Sequence, residues 1–407
     1  MRDVAVVLVS VMALASSWPA RSDAQSVPDT VGVGVLAAEV ATLRAELDQM
    51  KKELGVEGKS GMVVAKPAGR EPTLRLGGLL QPQVEFGDRG DFRFSDDNDR
   101  FYLRRARMNA AGRFLEEFDF RIELDLSGVG ANTVGLRAQL TDGFVNWNRY
   151  AVANAKIGQF KTPFGGEQLA PDPRLLTVER SLASDRLTLS RQLGGQLGGD
   201  LLGERLSYAA GLFNGNAVNT NFNDNDGFTW VARAWSPIWQ RASDPNDTRL
   251  TVAANAYGSR DANVLLPGDY GFNAGGNANL VNVFAGERHG YGADGELKLP
   301  PLTFFGEYLR VRYEPNNDIP ANVVTAQGGS ALAACDIVKQ RVQAVLRWEF
   351  FDPIDDVDEN ATRIWTVGSN YYIKSHDIKL QGDYLLSDRE AGDELEGRFI
   401  GRVQVIF

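Results

Sequence analysis

One cysteine in 407 residues, Cys335, excludes any intrachain disulfide. Histidine is nearly as scarce, with only His289 and His376, and neither falls in a metal-ligand cluster or beside a nucleophile-elbow motif. The net charge of −10 argues against nucleic acid as a partner. Long hydrophobic runs are missing too. The one continuous apolar stretch, Val4 to Ala15, is too short for a mature membrane helix. With Arg2 before it and Ser22-Asp23-Ala24 after it, the stretch predicts a secretory signal over residues 1–24, cleaved after Ala24 or at a nearby site such as Ala20. No cysteine stands at that point to take a lipid. An exported chain without disulfides needs another stabilising device, and a closed barrel is one.

What is present comes in two patterns. Over residues 33–54, Val33, Leu36, Val40, Leu43, Leu47, Met50 and Leu54 alternate at spacings of three and four, the seam of a coiled coil. Glu39, Glu46 and Glu53 fall at g, with Arg44 and Lys51 at e, so neighbouring chains meet with opposite charges. The expectation is a short self-associating N-terminal coiled-coil helix in the periplasm. Gly55 stops the helix, and residues 55–72, rich in Gly, Lys and Pro, read as a linker.

From residue 73 to 407 the period changes to two. Phe118, Phe120, Ile122, Leu124 and Leu126 interleave with Glu117, Asp119, Arg121, Glu123 and Asp125. Trp365, Val367, Tyr371 and Ile373 do the same with Thr366, Asn370, Tyr372 and Lys374. Such segments run about ten residues, the length a tilted strand needs to cross a membrane. No helix after residue 54 is available to cover an apolar sheet face, which leaves lipid as its neighbour. Lipid in turn demands closure, because unpaired edge groups cannot be solvated there. The fold class predicted is therefore all-β: a transmembrane antiparallel β-barrel in the outer membrane.

Tight connections at Glu116-Glu117, Leu202-Gly203, Pro300-Pro301 and Ser375-His376-Asp377 alternate with long ones. The long ones are Gly87 to Asn98, Pro163 to Arg191, Asn214 to Gly227 and Gly258 to Glu287. About fifteen strands are readable; since such barrels are even, sixteen are expected, the last a weak strand near Asn322 to Ala326. Cys335 falls in a loop-like Gly/Ala stretch. The terminal Phe407, with apolar residues at every second position before it, resembles the signal read by the barrel-assembly machinery.

Several segments resemble the phosphate-selective porin O/P family. They include Leu103-Arg104-Arg105-Ala106-Arg107, Gly158-Gln159-Phe160-Lys161-Thr162-Pro163-Phe164-Gly165, Phe213-Asn214-Gly215, and Arg347 to Pro353 with Trp348, Glu349 and Phe350. The ordered set extends over Leu74 to Phe407. The resemblance implies a sixteen-stranded homotrimeric porin, lined by Arg and Lys, passing phosphate or other small anions without a cofactor. One departure is that Glu117, Asp119, Glu123 and Asp125 share the lumen parity of Arg121, which leaves phosphate preference less supported than the channel itself.

Strand parity turns Arg105, Arg107, Arg113, Arg121, Arg341, Arg347, Lys374, Lys379, Arg398 and Arg402 toward the lumen. Guanidinium binds phosphate-like anions through paired hydrogen bonds, and lumen water solvates it cheaply. The same residues serve equally well to brace the wall against lumen carboxylates. Pro163 to Arg191 is too long for a hairpin connection and is expected to fold inward as a constriction loop carrying Glu167, Arg174, Glu179, Arg180, Asp185, Arg186 and Arg191. Asp88, Asp91, Asp96, Asp97 and Asp99 read as a solvated acidic outer loop without calcium-loop spacing. A lipase-like Ser/His pair drawing on Ser259 or Ser387 lacks supporting motifs, so no enzyme is expected. The rivals are a non-selective porin and an envelope tether whose coiled coil grips the cell wall.

Overall fold

The structure is a computed structural model. It describes residues 63–65, 73–91, 93–94, 99–127, 138–241, 248–266, 283–316, 323–389 and 394–407. The chain divides into two compact units, Met1–Glu53 and Leu54–Phe407, and every described residue belongs to the second. The expected signal and coiled coil lie outside the described residues, as does the expected linker except for residues 63–65.

A three-residue strand, β1 (Val63–Ala65), runs antiparallel to the start of β2. The wall consists of β2 (Thr73–Gly87), β3 (Arg100–Phe114), β4 (Phe118–Asp125), β5 (Gln139–Tyr150), β6 (Ala153–Lys161), β7 (Arg191–Leu201), β8 (Leu206–Phe213) and β9 (Thr229–Gln240). It continues through β10 (Arg249–Leu265), β11 (Val283–Leu299), β12 (Leu302–Pro315), β13 (Val324–Val338), β14 (Val342–Asp352), β15 (Thr362–Lys374), β16 (Ile378–Arg389) and β17 (Glu396–Ile406). Each strand pairs antiparallel with the next, and β17 pairs back onto β2 with Ile400 opposite Glu85. The result is a closed sixteen-stranded barrel. At its seam the backbone of Phe407 exchanges hydrogen bonds with Gly78, and the Phe407 ring occupies the space a Cβ on Gly78 would need.

The period-two pattern sets the two faces. On β15, Trp365, Val367, Tyr371 and Ile373 are exposed outward, while Thr366, Asn370 and Tyr372 are buried on the lumen side. On β16, Leu380, Tyr384 and Leu386 face out and Lys379, Gln381 and Asp383 face in. An apolar outer surface of this kind is stable only against lipid or another apolar protein surface. The interior apolar cluster joins Phe160, Phe213, Val231, Tyr257, Leu309 and Phe351 on the wall to Phe164, Val178, Leu182 and Leu187 of the β6–β7 connection.

Tight turns and long connections alternate as expected, but four local expectations are overturned. The weak strand is in fact the fifteen-residue β13, which continues through the Gly/Ala stretch, so Cys335 is a strand residue opposite Leu302 rather than part of a loop. The connection placed at Gly258 to Glu287 is shorter, because β10 continues to Leu265 and β11 begins at Val283. His289 consequently sits inside β11 instead of at a strand start. Asp91 is not solvated: it is fully buried and paired with Arg93.

Candidate functional site

The connection between β6 and β7, residues 162–190, folds into the barrel. Gly165, with φ of 82°, turns the chain into the short helix α1 (Gly166–Leu169). Pro171 leads into a 3-10 turn at Asp172–Arg174, with Pro173 as its middle residue. A second helix, α2 (Leu182–Leu187), is capped by the Ser181 hydroxyl, which accepts from the Ser184 N–H at 3.2 Å. Two kinds of contact hold the connection in place.

The first is apolar. Leu182, Ala183 and Leu187 are buried against β12, β13 and β14, and Phe164 meets Tyr257 edge-on with centroids 4.8 Å apart. Small residues on β13 make room for this. A Cβ at Gly328 would lie 2.7 Å from the Cβ of Ala183, closer than real side chains approach.

The second is polar, from wall side chains to the extended stretch 172–180. Asp172 takes Arg107 at 2.5 Å, Arg180 at 2.6 Å and Arg105 at 3.4 Å. Glu179 takes Arg104 at 2.8 Å and also Arg402, which donates to the Val178 carbonyl as well. Arg347 donates to Thr177 Oγ1 and to the Glu179 carbonyl, both at 2.8 Å, and lies 3.4 Å from Glu167. Lys379 Nζ donates to the Leu175 carbonyl at 2.9 Å, Asn370 to that of Leu176 at 2.7 Å, and Gln404 to that of Pro173 at 3.1 Å. Asp383 accepts from the Val178 N–H at 2.6 Å. Backbone polar groups buried away from water need partners, and here the lumen wall supplies them.

Electrostatics follow from these pairs. Burial alone would raise the carboxyl pKa of Asp172, but Arg105, Arg180 and Arg107 outweigh it and hold the group well below the usual range. Burial likewise opposes ionisation of Glu179 and is overcome by Arg104, Arg402 and Arg105. His376, in the turn between β15 and β16, is pushed down to about 4, by burial first and then by the nearby cations Lys379 and Arg174.

Of the expected lumen cations, Arg105, Arg107, Arg347, Lys379, Arg398 and Arg402 are all buried. All but Arg398 touch the inserted connection. Arg398 instead pairs with Glu85 at 2.9 Å, donates to the Asp88 carbonyl at 2.6 Å and lies under the Phe94 ring. Arg113 pairs with Asp119 at 3.1 Å on the exposed lower wall, and Arg121 pairs with Glu123. Lys374 ends β15 beside Asp377 at 3.6 Å. Arg341 departs from the expected placement: it lies in the turn before β14, not on the wall. Within the inserted segment Arg180 also donates to the carbonyls of Glu167 and Ala170, and Glu167 accepts from the backbone and hydroxyl of Ser181. Arg174 and Asp185 are exposed, and Arg186 lies 3.9 Å from Asp185. Arg191 is the first residue of β7 and pairs with Asp142 at 2.7 Å, so it belongs to the wall.

Parity reading missed Arg104. The β2–β3 register jumps so that Gln81 faces Arg105 while Pro82 faces Leu103, leaving Arg104 as a bulge residue beside Arg105. Pro82 was the available signal, because a proline inside a strand cannot supply its ladder N–H. Also missed were Arg93, which bridges Asp91 and Glu349 and donates to the Arg180 carbonyl, and the wall pairs Arg233–Asp294 and Arg288–Asp261. The Ser/His alternative finds no geometry among these residues. Ser259 faces the lumen whereas His289 faces outward, and Ser387 and His376 sit at opposite ends of β16.

Comparison with known proteins places this geometry. The chain is 22% identical over 411 residues to Porin O of Pseudomonas aeruginosa, covering 87% of this chain and 93% of that one. An anion-selective porin from Comamonas acidovorans superposes with a TM-score of 0.57 at 11% identity, covering 83% of this chain and all of that one. The trimer form of OmpT from Vibrio cholerae gives 0.55 at 11% identity, with 83% and 100% coverage. The profile of phosphate-selective porin O and P matches residues 79–394. A closed barrel, a connection folded into its lumen and a family match across most of the wall lead to one conclusion: the chain belongs to the phosphate-selective porin O and P family and is an outer-membrane porin.

Proposed function

We propose that this porin conducts small anions, phosphate among them, along a cationic track beside the inserted connection. The observation that supports this is an asymmetry inside the ion pairs. Arg104 is 31% exposed against 10% for Glu179, Arg121 39% against 6% for Glu123, and Arg100 19% against none for Glu85. The carboxylate lies behind the guanidinium in each of these three pairs, so water beside them meets mainly positive charge. Arginine keeps spare donors for a second acceptor, and several weak sites in series let an ion enter and leave. Arg113 and Arg180, each more exposed than its carboxylate partner, extend the track. The Comamonas porin of similar fold is anion-selective, which agrees with this reading.

The functional unit in this proposal is a homotrimer in outer-membrane lipid, in keeping with the trimer form of OmpT. The coiled coil expected over residues 33–54 adds association in the periplasm, and Phe407 is read by the barrel-assembly machinery. A second reading, a channel with little charge preference, is favoured by the exposed Asp185 and by the use of Arg105 and Arg347 as braces. Reversal potentials in a potassium chloride gradient separate the two. With Arg104→Ala and Arg121→Ala combined, the potential is expected to move toward the potassium value while conductance steps persist. An unchanged potential sinks the cationic track, and a wild-type protein with no steps at all would leave only the tether.

A further inference from the structure

Charge is unevenly spread over the outward face of the wall at its outer end. Along β12, Leu302, Phe304 and Tyr308 face outward and are followed by Arg310 and Arg312, while Leu309, Val311 and Tyr313 are buried toward the lumen. At about 3.3 Å per residue and a tilt near 40°, Arg310 and Arg312 stand about 20 and 25 Å above Leu302, where the roughly 25 Å apolar band of such barrels ends. The two strands beside it repeat the change. β11 places His289 opposite Arg312 and Tyr291 opposite Arg310, and β10 adds Arg260 opposite Glu287. Four basic side chains thus stand over two outward tyrosines, Tyr291 and Tyr308. Within the described residues of β2–β9, the outward side chains at this level are uncharged, Phe86, Phe101 and Trp230 among them. Within the described strands, Arg363 on β15 is the only other outward cation there.

We propose that the outward face of β10–β12 binds a phosphorylated lipid of the outer leaflet. Arg260, His289, Arg310 and Arg312 take the phosphates, and the acyl chains lie on the wall below Tyr291 and Tyr308. The site is on the other face of the wall from the ion path, so it does not depend on what the pore conducts. The carboxylates nearby leave the patch open to an anion. Arg310 keeps 47% of its side chain exposed against 16% for Asp355, 2.8 Å away. Arg260 and Arg312 are likewise more exposed than Glu287 and Glu314. Each pair engages one guanidinium nitrogen, and the remaining donors can grip phosphate through paired hydrogen bonds. Lipid fits better than free phosphate, because the cations rest directly on an aromatic girdle and an apolar wall, the order in which a headgroup meets its chains.

Native mass spectrometry of the full-length porin, purified in detergent and mixed with diphosphoryl lipid A, tests this. Arg310→Ser combined with Arg312→Ser is expected to lower lipid binding about tenfold, and Arg363→Ser to leave it nearly unchanged. Equal binding by wild type and the double variant overturns the proposal, as does an equal loss in Arg363→Ser. The wild type gives a test that no folding defect can confuse: lipid A stripped of its phosphates should bind about tenfold more weakly. Equal binding of the two lipids refutes a phosphate site. Complete displacement of lipid A by inorganic phosphate would make the site one for the free ion, against the proposal. Trimers falling to monomers in the double variant would make this face a subunit contact instead.

Discussion

The inserted connection is held on two sides by different physics. Against β12–β14, α2 rests on Gly and Ala with Leu182 and Leu187 buried, and dispersion and hydrophobic contact hold it. Against β3 and β14–β17, the stretch 172–180 is held by arginines, a lysine and amides. The apolar side tolerates no added volume and is indifferent to charge. The polar side tolerates modest shape changes but no lost charge, since removing one member strands its partner in a poorly solvated place. The aperture is therefore set by packing on one flank and by electrostatics on the other, and the two can be disturbed separately.

The strongest disturbance should come from Gly328→Leu. It drives side-chain atoms into Ala183, an overpacking of about 1–3 kcal/mol that the connection escapes by leaving the wall. Single-channel conductance is expected to rise severalfold; an unaltered conductance would show that the packed flank does not set the aperture. Next in size is Glu179→Ala, which leaves Arg402 buried without its carboxylate at a cost of about 3–5 kcal/mol. Noisier open-channel current and faster tryptic cleavage at Arg174 and Arg180 are expected, and resistance equal to wild type would count against the polar flank.

A smaller effect concerns acid. His376 titrates lower in the fold than its ordinary value near 6.5, so its contribution to stability is present above that value and is lost as pH falls toward about 4. The wild type should unfold on heating at a progressively lower temperature than His376→Asn as pH drops from 7 to 4, read by gel mobility. A constant gap between them contradicts this. Smallest is Asp185→Asn, removing an exposed carboxylate from α2, which should shift reversal potential slightly toward anions; an unchanged potential would place Asp185 off the ion path.

The same contrast explains what the sequence made legible. Alternation between apolar and charged residues, as in β4, β15 and β16, is imposed by having lipid on one side and water on the other, so the faces and about fifteen of the strands could be read directly, the sixteenth following from the even count. The length of the stretch from Pro163 to Arg191 announced an insertion. β13 was unreadable as a strand because α2 covers its lumen face, and both faces carry Gly and Ala where alternation would need contrast. Arg104 was hidden by a single bulge residue, since period-two counting carries no memory of an insertion. Asp91 was misread because an acidic sequence says nothing of an arginine two positions on that folds it inward.

Seating Glu85, Glu123 and Glu179 behind Arg100, Arg121 and Arg104 has a further consequence for traffic. The lumen resembles an ion-exchange resin already loaded with immobile counter-ions. A solute at Arg104 competes with Glu179, which is never more than one bond away and cannot diffuse off. Residence at each station is thus limited by a built-in competitor, favouring throughput over capture, and raising external salt should weaken the passing solute's hold far more than the tethered one's.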